Sequence, residues 1–489
     1  MKKRSVLISG GGPAGLAAAL LFDQLGWEDI TLVERRSGPE DFEKNKSFNY
    51  LIDKRSQRLL DRLGLMHLLP QVGVATREFV ATTVKTDGTS ETKSVPIIDA
   101  NRPVCYWTTR RALLAMLYGE IERRASPRVR VLYSHSVAGL ERDEASRAQV
   151  TVRDAAGVEQ LHSPDLVLAC DGLGSAIRKS LGAQPESARP DSAGPDSALS
   201  AFEMVATPSL STGLNYKVLN LPSRFTTKSG EAAVDDPSMA YIIPSRHTDQ
   251  TKACALFAFP VSNPEHPRSV NLIREADHIL WTLDTPEALF DYLEDAFPQL
   301  AIRDLVSEAE ARDFVSMAPG AFPAPQYVPT MHAALGPADD QTHVLLAGDA
   351  AHAFPPDLGM GVNAALQDID ALAVQLETCT DLETVAKRWA AEREPEARDL
   401  VWLVTNVFPE QYNHRPWALK RWIAGFLLRR GLNAVMPGVF ARPGFFLSQD
   451  PELTFGQMRG AIERTNGRIK GLGLGALATG VAAAVLTLR

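Results

Sequence analysis

Apolar residues fall into three patterns along the chain, and each predicts a different kind of element. Short unbroken runs, Val6–Ser9, "DITLV", Leu166–Ala169 and Val344–Ala347, read as buried strands of a parallel sheet. Between residues 199 and 330 the runs "LSAFEMVA", "NYKVLN", "MAYIIP" and "KACALFAF" read as strands of an antiparallel sheet. From 383 to 465 the pattern turns helical. Leu419, Trp422, Ile423, Phe426 and Leu427 form an i, i+3, i+4, i+7, i+8 stripe flanked by Lys420, Arg421, Arg429 and Arg430. That stripe suits either a helix packed on the body or a basic amphipathic helix touching a membrane.

The first run begins after Met1-Lys2-Lys3-Arg4, as a secretory signal would. A signal needs an unbroken apolar centre, and Gly10-Gly11-Gly12-Pro13 interrupts this one after four or five residues. Strand, glycine turn and helix is the better reading, with the helix running to about Leu25 and stopping near Gly26. The spacing Gly10-x-Gly12-x-x-Gly15 fits a dinucleotide grip. Gly10 permits the tight turn, Gly12 lets backbone approach a diphosphate, and Gly15 lets helix and strand pack closely. Pro13 and Ala14 open the helix, whose free N–H groups and dipole favour an anion. Glu34, followed by Arg35, ends the second strand 19 residues after Gly15, where a carboxylate can take ribose hydroxyls.

Two later stretches repeat the logic of a strand end at a ligand edge. "LACDGLGSAIRKSLG" puts Asp171-Gly172 before a helix carrying Ser175 and Arg178. "LLAGDAAHAFPPDLGMGVNAALQD" puts Gly348-Asp349 before a Pro-rich turn and a helix opened by Gly361, Val362 and Asn363. Such edges carry ligands in open parallel sheets.

Composition then narrows the classes. A net charge of -8 disfavours a nucleic-acid binder, and 45% hydrophobic content is enough for sizeable cores. Cys105, Cys170, Cys254 and Cys379 make no CxxC pair. His352 has no partner at metal-ligand spacing, so no metal site is expected and His352 reads as a structural or supporting group.

With these motifs in this order, the chain resembles the single-component FAD-dependent aromatic hydroxylases related to para-hydroxybenzoate hydroxylase. "RRALLAML" adds the family's R-x-x-L-x-x-x-L pattern at Arg110, Leu113 and Leu117. Arg111 fits it less well, because Tyr118 falls on an apolar position. The resemblance implies an α/β Rossmann-type FAD-binding domain with an inserted antiparallel substrate sheet lying over the flavin. It also implies that Asp349 holds the ribityl chain, that Asp171-Gly172 lies near FAD and the nicotinamide donor, and that Arg110 contacts FAD. The implied reaction uses NADPH, O₂ and a flavin C4a-hydroperoxide to hydroxylate an aromatic ring. The one dinucleotide fingerprint agrees with NADPH docking transiently.

Within that family the C-terminal "NAVMPGVFARPGFF" and "LTFGQMRGAIERTNGRIKGLGLG" stretches, and "FPQL" in the middle, are similar to the kynurenine 3-monooxygenase branch. That resemblance makes Asn363 a catalytic residue. Four positions depart from the branch. Phe79 stands where a carboxylate-binding arginine is expected, with Arg77 nearby. Val104 and Phe455 replace tyrosines, and Gln367 replaces a glutamate. The departures favour the same chemistry on another aromatic. A membrane-bound FAD protein without oxygen insertion is the non-enzyme alternative. A halogenase would need a WxWxIP stretch, and no two tryptophans lie two residues apart.

The expected domains are a discontinuous FAD-binding domain, 1–182 and 340–375, whose Rossmann parts are 1 to about 70, 100–182 and 340–375. A substrate domain, 183–339, begins with a mobile Pro/Ser/Asp-rich loop, 183–200. A helical region, 376–466, leads to an apolar tail, 467–489. Residues 471–488 carry no charge and would span roughly 27 Å as a helix, close to a ~30 Å hydrocarbon layer. Arg464, Arg468 and Lys470 precede them, so a membrane anchor with the body facing the cytoplasm is expected.

Overall fold

The computed structural model describes residues 4–41, 48–94, 99, 101–143, 147–183, 201–228, 232–337, 340–409, 411–412 and 416–487, with the tail beyond 472 described by backbone alone. The expected loop 183–200 lies almost wholly outside the described residues.

The short apolar runs assemble into a six-stranded sheet in the order His332–Leu335, Thr342–Leu346, Leu166–Ala169, Ser5–Ser9, Asp29–Val33, Val129–Leu132. All pairings are parallel except the first, where His332–Leu335 returns as an antiparallel edge. Ser5–Ser9 sits inside the sheet, and helices Pro13–Gln24 and Gly361–Thr378 are packed against each other. Leu7, Ile8, Leu32, Val167 and Leu345 are buried with helix residues such as Leu20 and Leu372 in one core. Burial on both faces is why these runs are continuous rather than alternating.

A second sheet of seven strands runs Gly320–Ala321, Asn215–Leu221, Arg268–Arg274, Ala255–Ala258, Ala240–Pro244, Val80–Val84, Ser90–Ser94. One face packs on helices Pro286–Ala296 and Glu308–Ser316 through Leu219, Ile243, Leu256 and Leu272. The expectation of a purely antiparallel sheet is corrected: Val80–Val84 pairs parallel with Ala240–Pro244. The early strand crosses from the stretch between 70 and 100, and the long connection between the two strands lets both run the same way.

Helices Leu382–Asn406, Pro416–Val435 and Phe455–Thr487 complete the chain. Two of the five residues of the predicted apolar stripe are used: Phe426 is buried and Trp422 stacks on Phe408, while Leu419, Ile423 and Leu427 are exposed. Among the described residues no helix is long and apolar enough to cross a membrane, so the structure lends the expected anchor no support. The side chains of the expected anchor from residue 473 onward lie outside the described residues.

Candidate active site

The glycine bend is set by close packing. Gly10 has φ +101°, and a Cβ there would lie 2.4 Å from the Cys170 carbonyl oxygen; one on Gly15 would lie 1.9 Å from the Gly10 oxygen. Gly10 N donates to Val33 O at 2.8 Å, which fastens the bend to the second strand. Gly12 differs, because a Cβ there meets nothing within 4 Å. Gly12 caps helix Pro13–Gln24 without a side-chain bond, with Pro13 in its first turn and Ala14 next. The helix therefore presents unoccupied N–H groups where the backbone is open.

Glu34 lies against the bend. Its Oε2 accepts from Gly11 N at 2.7 Å and its Oε1 from Arg36 N at 2.9 Å, with the Arg36 guanidinium at 3.0 Å. Burial alone would raise this carboxyl; the Arg36 and Gly11 bonds hold it below its ordinary value. Arg35, the expected contact, is exposed, and Arg36 takes the inward place. The strand ends at Val33, and the bend that follows turns Arg36 back onto Glu34 while Arg35 faces solvent.

Asp171 follows strand Leu166–Ala169. Its Oδ2 accepts from Ala176 N at 3.0 Å, while Oδ1 is buried without a partner. Burial pushes this carboxyl up, against hydrogen bonds from Ser175 and Ala176. Gly172 beside it has φ +80° and open space at its Cβ position. Arg178 turns away, bonding the Ala350 and Leu173 carbonyls.

Asp349 sits in a 3-10 turn, Gly348–Ala350, beyond strand Thr342–Leu346. It is open to solvent yet crowded by protein on most sides, as a group on a cleft floor would be. That crowding pushes its carboxyl up, and His352 and Arg110 pull it down. Arg110 opens helix Arg110–Arg124 and acts electrostatically on both Asp349 and Tyr50. Its Nε is buried without a partner among the described residues. Arg111 points elsewhere and pairs with Glu40 at 2.5 Å.

A buried network holds this floor in place. Asp368 Oδ2 takes Gly348 N and His352 Nε2, each at 2.8 Å, and Oδ1 takes Arg393 Nε at 2.8 Å. His352 is thus a supporting group. Despite its burial, interactions with His352 and Arg393 and the Gly348 N–H keep the Asp368 carboxyl below its ordinary value. Among the described residues no cluster of three metal-ligating side chains occurs.

Gly361 and Val362 begin helix Gly361–Thr378, whose N-cap, Met360, makes no side-chain bond. Asn363, expected to be catalytic, has all of its amide engaged in bonds within the protein. Its Nδ2 donates to Leu51 O (2.8 Å) and Gly359 O (3.0 Å), and its Oδ1 accepts from Asp53 N (3.0 Å) and Ser56 Oγ (2.6 Å). Those four bonds exhaust an amide's capacity. These bonds tie the start of helix Gly361–Thr378 to Leu51, Asp53 and Ser56.

Asn49 was not anticipated. It pairs in register with Thr109, next to Arg110, and both polar atoms of its amide are buried without partners among the described residues. The departures from the branch also have places. Phe79 stacks on Phe257 and contacts Trp107; Phe455 lies under Arg55; Gln367 has a buried, unpartnered carbonyl; the Val104 carbonyl accepts from Gln57. Arg77 is exposed. Its carbonyl accepts from Nε of the buried Arg102, whose Nη2 has no partner.

A parallel sheet with a glycine bend, two acidic strand ends and uncapped helix N-termini defines a dinucleotide-binding protein. A sequence profile described as "FAD binding domain" matches residues 3–242 and 337–403. The chain belongs to that family, and FAD is its cofactor. The residues fit the group: open backbone at Gly12, Gly172 and Gly361, and unpartnered Asn49, Arg110 and Asp171 atoms, are what a bound dinucleotide would satisfy.

The chain is 26% identical over 425 residues to a kynurenine 3-monooxygenase of Salinispora tropica, covering 84% of this chain and 80% of that one. It is 22% identical over 456 residues to one of Caenorhabditis elegans, covering 90% and 87%. Its fold is shared with 2-methyl-3-hydroxypyridine-5-carboxylic acid oxygenase (TM-score 0.57, 18% identity, covering 83% and 91%). It is shared too with Pseudomonas aeruginosa PqsL in complex with 2-aminobenzoylacetate (0.54, 19%, covering 86% and 99%). The resemblance to kynurenine 3-monooxygenases read from the motifs is borne out.

Proposed function

We propose that this chain is an FAD-dependent monooxygenase that takes electrons from NADPH and hydroxylates an aromatic substrate. The observation that supports this reading is a glycine bend with Asp171, Asn49, Arg110 and Asp349 at strand and helix ends, and an aromatic cluster reached through Trp107 on the strand that precedes Arg110. Phe79, Trp107, Phe257 and Phe259 lie within 6.0 Å of one another, centroid to centroid, along successive contacts. Bound FAD supplies hydride acceptance and activation of O₂.

The chain's own residues bind, orient and shield. The bend at Gly10, Gly12 and Gly15, with Pro13 and Ala14, seats the diphosphate, and Glu34 and Arg36 border the adjoining ribose. Asp349 holds a polyol hydroxyl, and Asp171-Gly172 and Arg110 line the cleft between. The uncapped N–H groups of Gly361 and Val362 would stabilise negative charge on a bound flavin. The aromatic wall keeps water from the reacting centre. The test supplies NADPH, O₂ and a panel of aromatics to FAD-loaded protein. A product heavier by one oxygen atom is expected; NADPH oxidation with no such product from any aromatic contradicts the reading.

The substrate we propose is an aromatic other than a free amino acid, because Phe79 fills the place of the branch's carboxylate-binding arginine. A second reading, a kynurenine-like acid, is favoured by one observation: Arg102 is a buried cation whose Nη2 has no partner among the described residues. L-Kynurenine decides between them. Slow, poorly coupled NADPH oxidation fits the first reading, and fast, coupled turnover that Arg102→Leu abolishes fits the second. We also propose that the exposed face of helix Pro416–Val435 and residues 471–488 bring the chain to a membrane.

A further inference from the structure

On strand Arg268–Arg274, Val270 and Leu272 face the helices of the second core, so Asn271 faces the other way. Register fixes its neighbours: Asn271 stands opposite Val218 on one side and Phe257 on the other, and Phe257 stands opposite Ile242. The next residues on that face of the strands are Tyr216 and Ile273. Phe257 in turn stacks on Phe79, which contacts Trp107 on strand Cys105–Thr109, immediately before Arg110. Asn271 is therefore an amide on the face of the sheet that carries Phe257 and the apolar wall, with Asn220 and Ser269 one step further along the same face.

Its amide is out of keeping with that wall. Asn271 is only 8% exposed, and its Oδ1 is buried with no hydrogen-bond partner among the described residues. An unpartnered carbonyl among aromatic and aliphatic neighbours destabilises a fold unless something meets it. No structural bond accounts for it, in contrast to Asn363, whose amide is fully used.

We propose that Asn271 is a specificity-determining residue whose carbonyl accepts a hydrogen bond from a hydroxyl or amino group on the substrate's aromatic ring. This rests on the aromatic monooxygenase reading and names the substrate class within it. A hydroxyl or amino substituent is a donor for Asn271 and also releases electrons into the ring, which electrophilic oxygen insertion requires. A ring lacking such a donor leaves the carbonyl unpaired and is bound less well.

The test uses FAD-loaded full-length protein and two probes, 2-aminoacetophenone and acetophenone, which differ only in the amino donor. Binding is read from the perturbation of flavin absorbance. Wild type should prefer the amino compound by about tenfold. Asn271→Leu should bind both equally while retaining FAD. Its thermal midpoint should equal or exceed that of wild type, because a buried unpartnered group has been removed. A wild type without the preference, a preference retained in Asn271→Leu, or a lowered midpoint in that variant would each overturn the proposal. A wild type that holds FAD yet oxygenates no aromatic would instead count against the monooxygenase reading.

Discussion

Gly12 and Gly15 lie three residues apart and should respond differently to one added methyl group. At Gly15 the methyl meets backbone oxygen at 1.9 Å and cannot be relieved by a side-chain shift, so Gly15→Ala should lose the fold or most of its thermal stability. At Gly12 the methyl meets open space, so Gly12→Ala should keep the wild-type midpoint and bind FAD more weakly. Thermal scans with and without FAD separate the two. Asn363→Ala should cost on the order of 2–4 kcal/mol by stranding the Asp53 N–H and the Leu51 carbonyl, with turnover per bound FAD little changed. Collapsed turnover in a folded, FAD-loaded variant would place Asn363 back at the reacting atoms. The bend, Glu34, Asp171 and Asp349 were legible in the sequence because backbone packing forces residue types at fixed spacings. Arg36, Asn49 and Asn271 were not, because their roles depend on which way a side chain leaves a strand and on partners far along the chain.

Strands illustrate the same division at the scale of elements. The unbroken runs Ser5–Ser9 and Leu166–Ala169 announce themselves through burial on both faces. Arg268–Arg274 does not, since arginines end it and Asn271 interrupts its apolar pattern, although it is a central strand of the second sheet. The edge strand His332–Leu335 carries a testable pH dependence. His332 Nε2 lies 3.3 Å from His343 Nδ1, and burial, then His343, pushes the His332 pKa down from 6.5 to about 4. The unfolded chain takes up this proton first, so the contribution to stability is complete above about pH 6.5 and is lost as pH falls toward 4. The loss is at most about 3 kcal/mol. Denaturant midpoints from pH 7 to 4 should fall more steeply for wild type than for His332→Gln; parallel curves would contradict the assignment.

For the whole molecule, the C-terminal helices leave Trp417, Ile423, Leu427, Leu428 and Val435 exposed on one element. Lys420, Arg421 and Arg430 are exposed on the same helix. Anionic vesicles should therefore sediment the full chain, and truncation after Gly467 with Ile423→Glu should release it; equal sedimentation of both proteins would remove the membrane proposal. The account as a whole depends on FAD seated against the glycine bend, and titrating purified protein with FAD while following visible absorbance tests that most directly. Saturation at one FAD per chain, with binding weakened in Gly12→Ala at unchanged thermal midpoint, is the predicted result. A wild-type chain that stays colourless after reconstitution would contradict it.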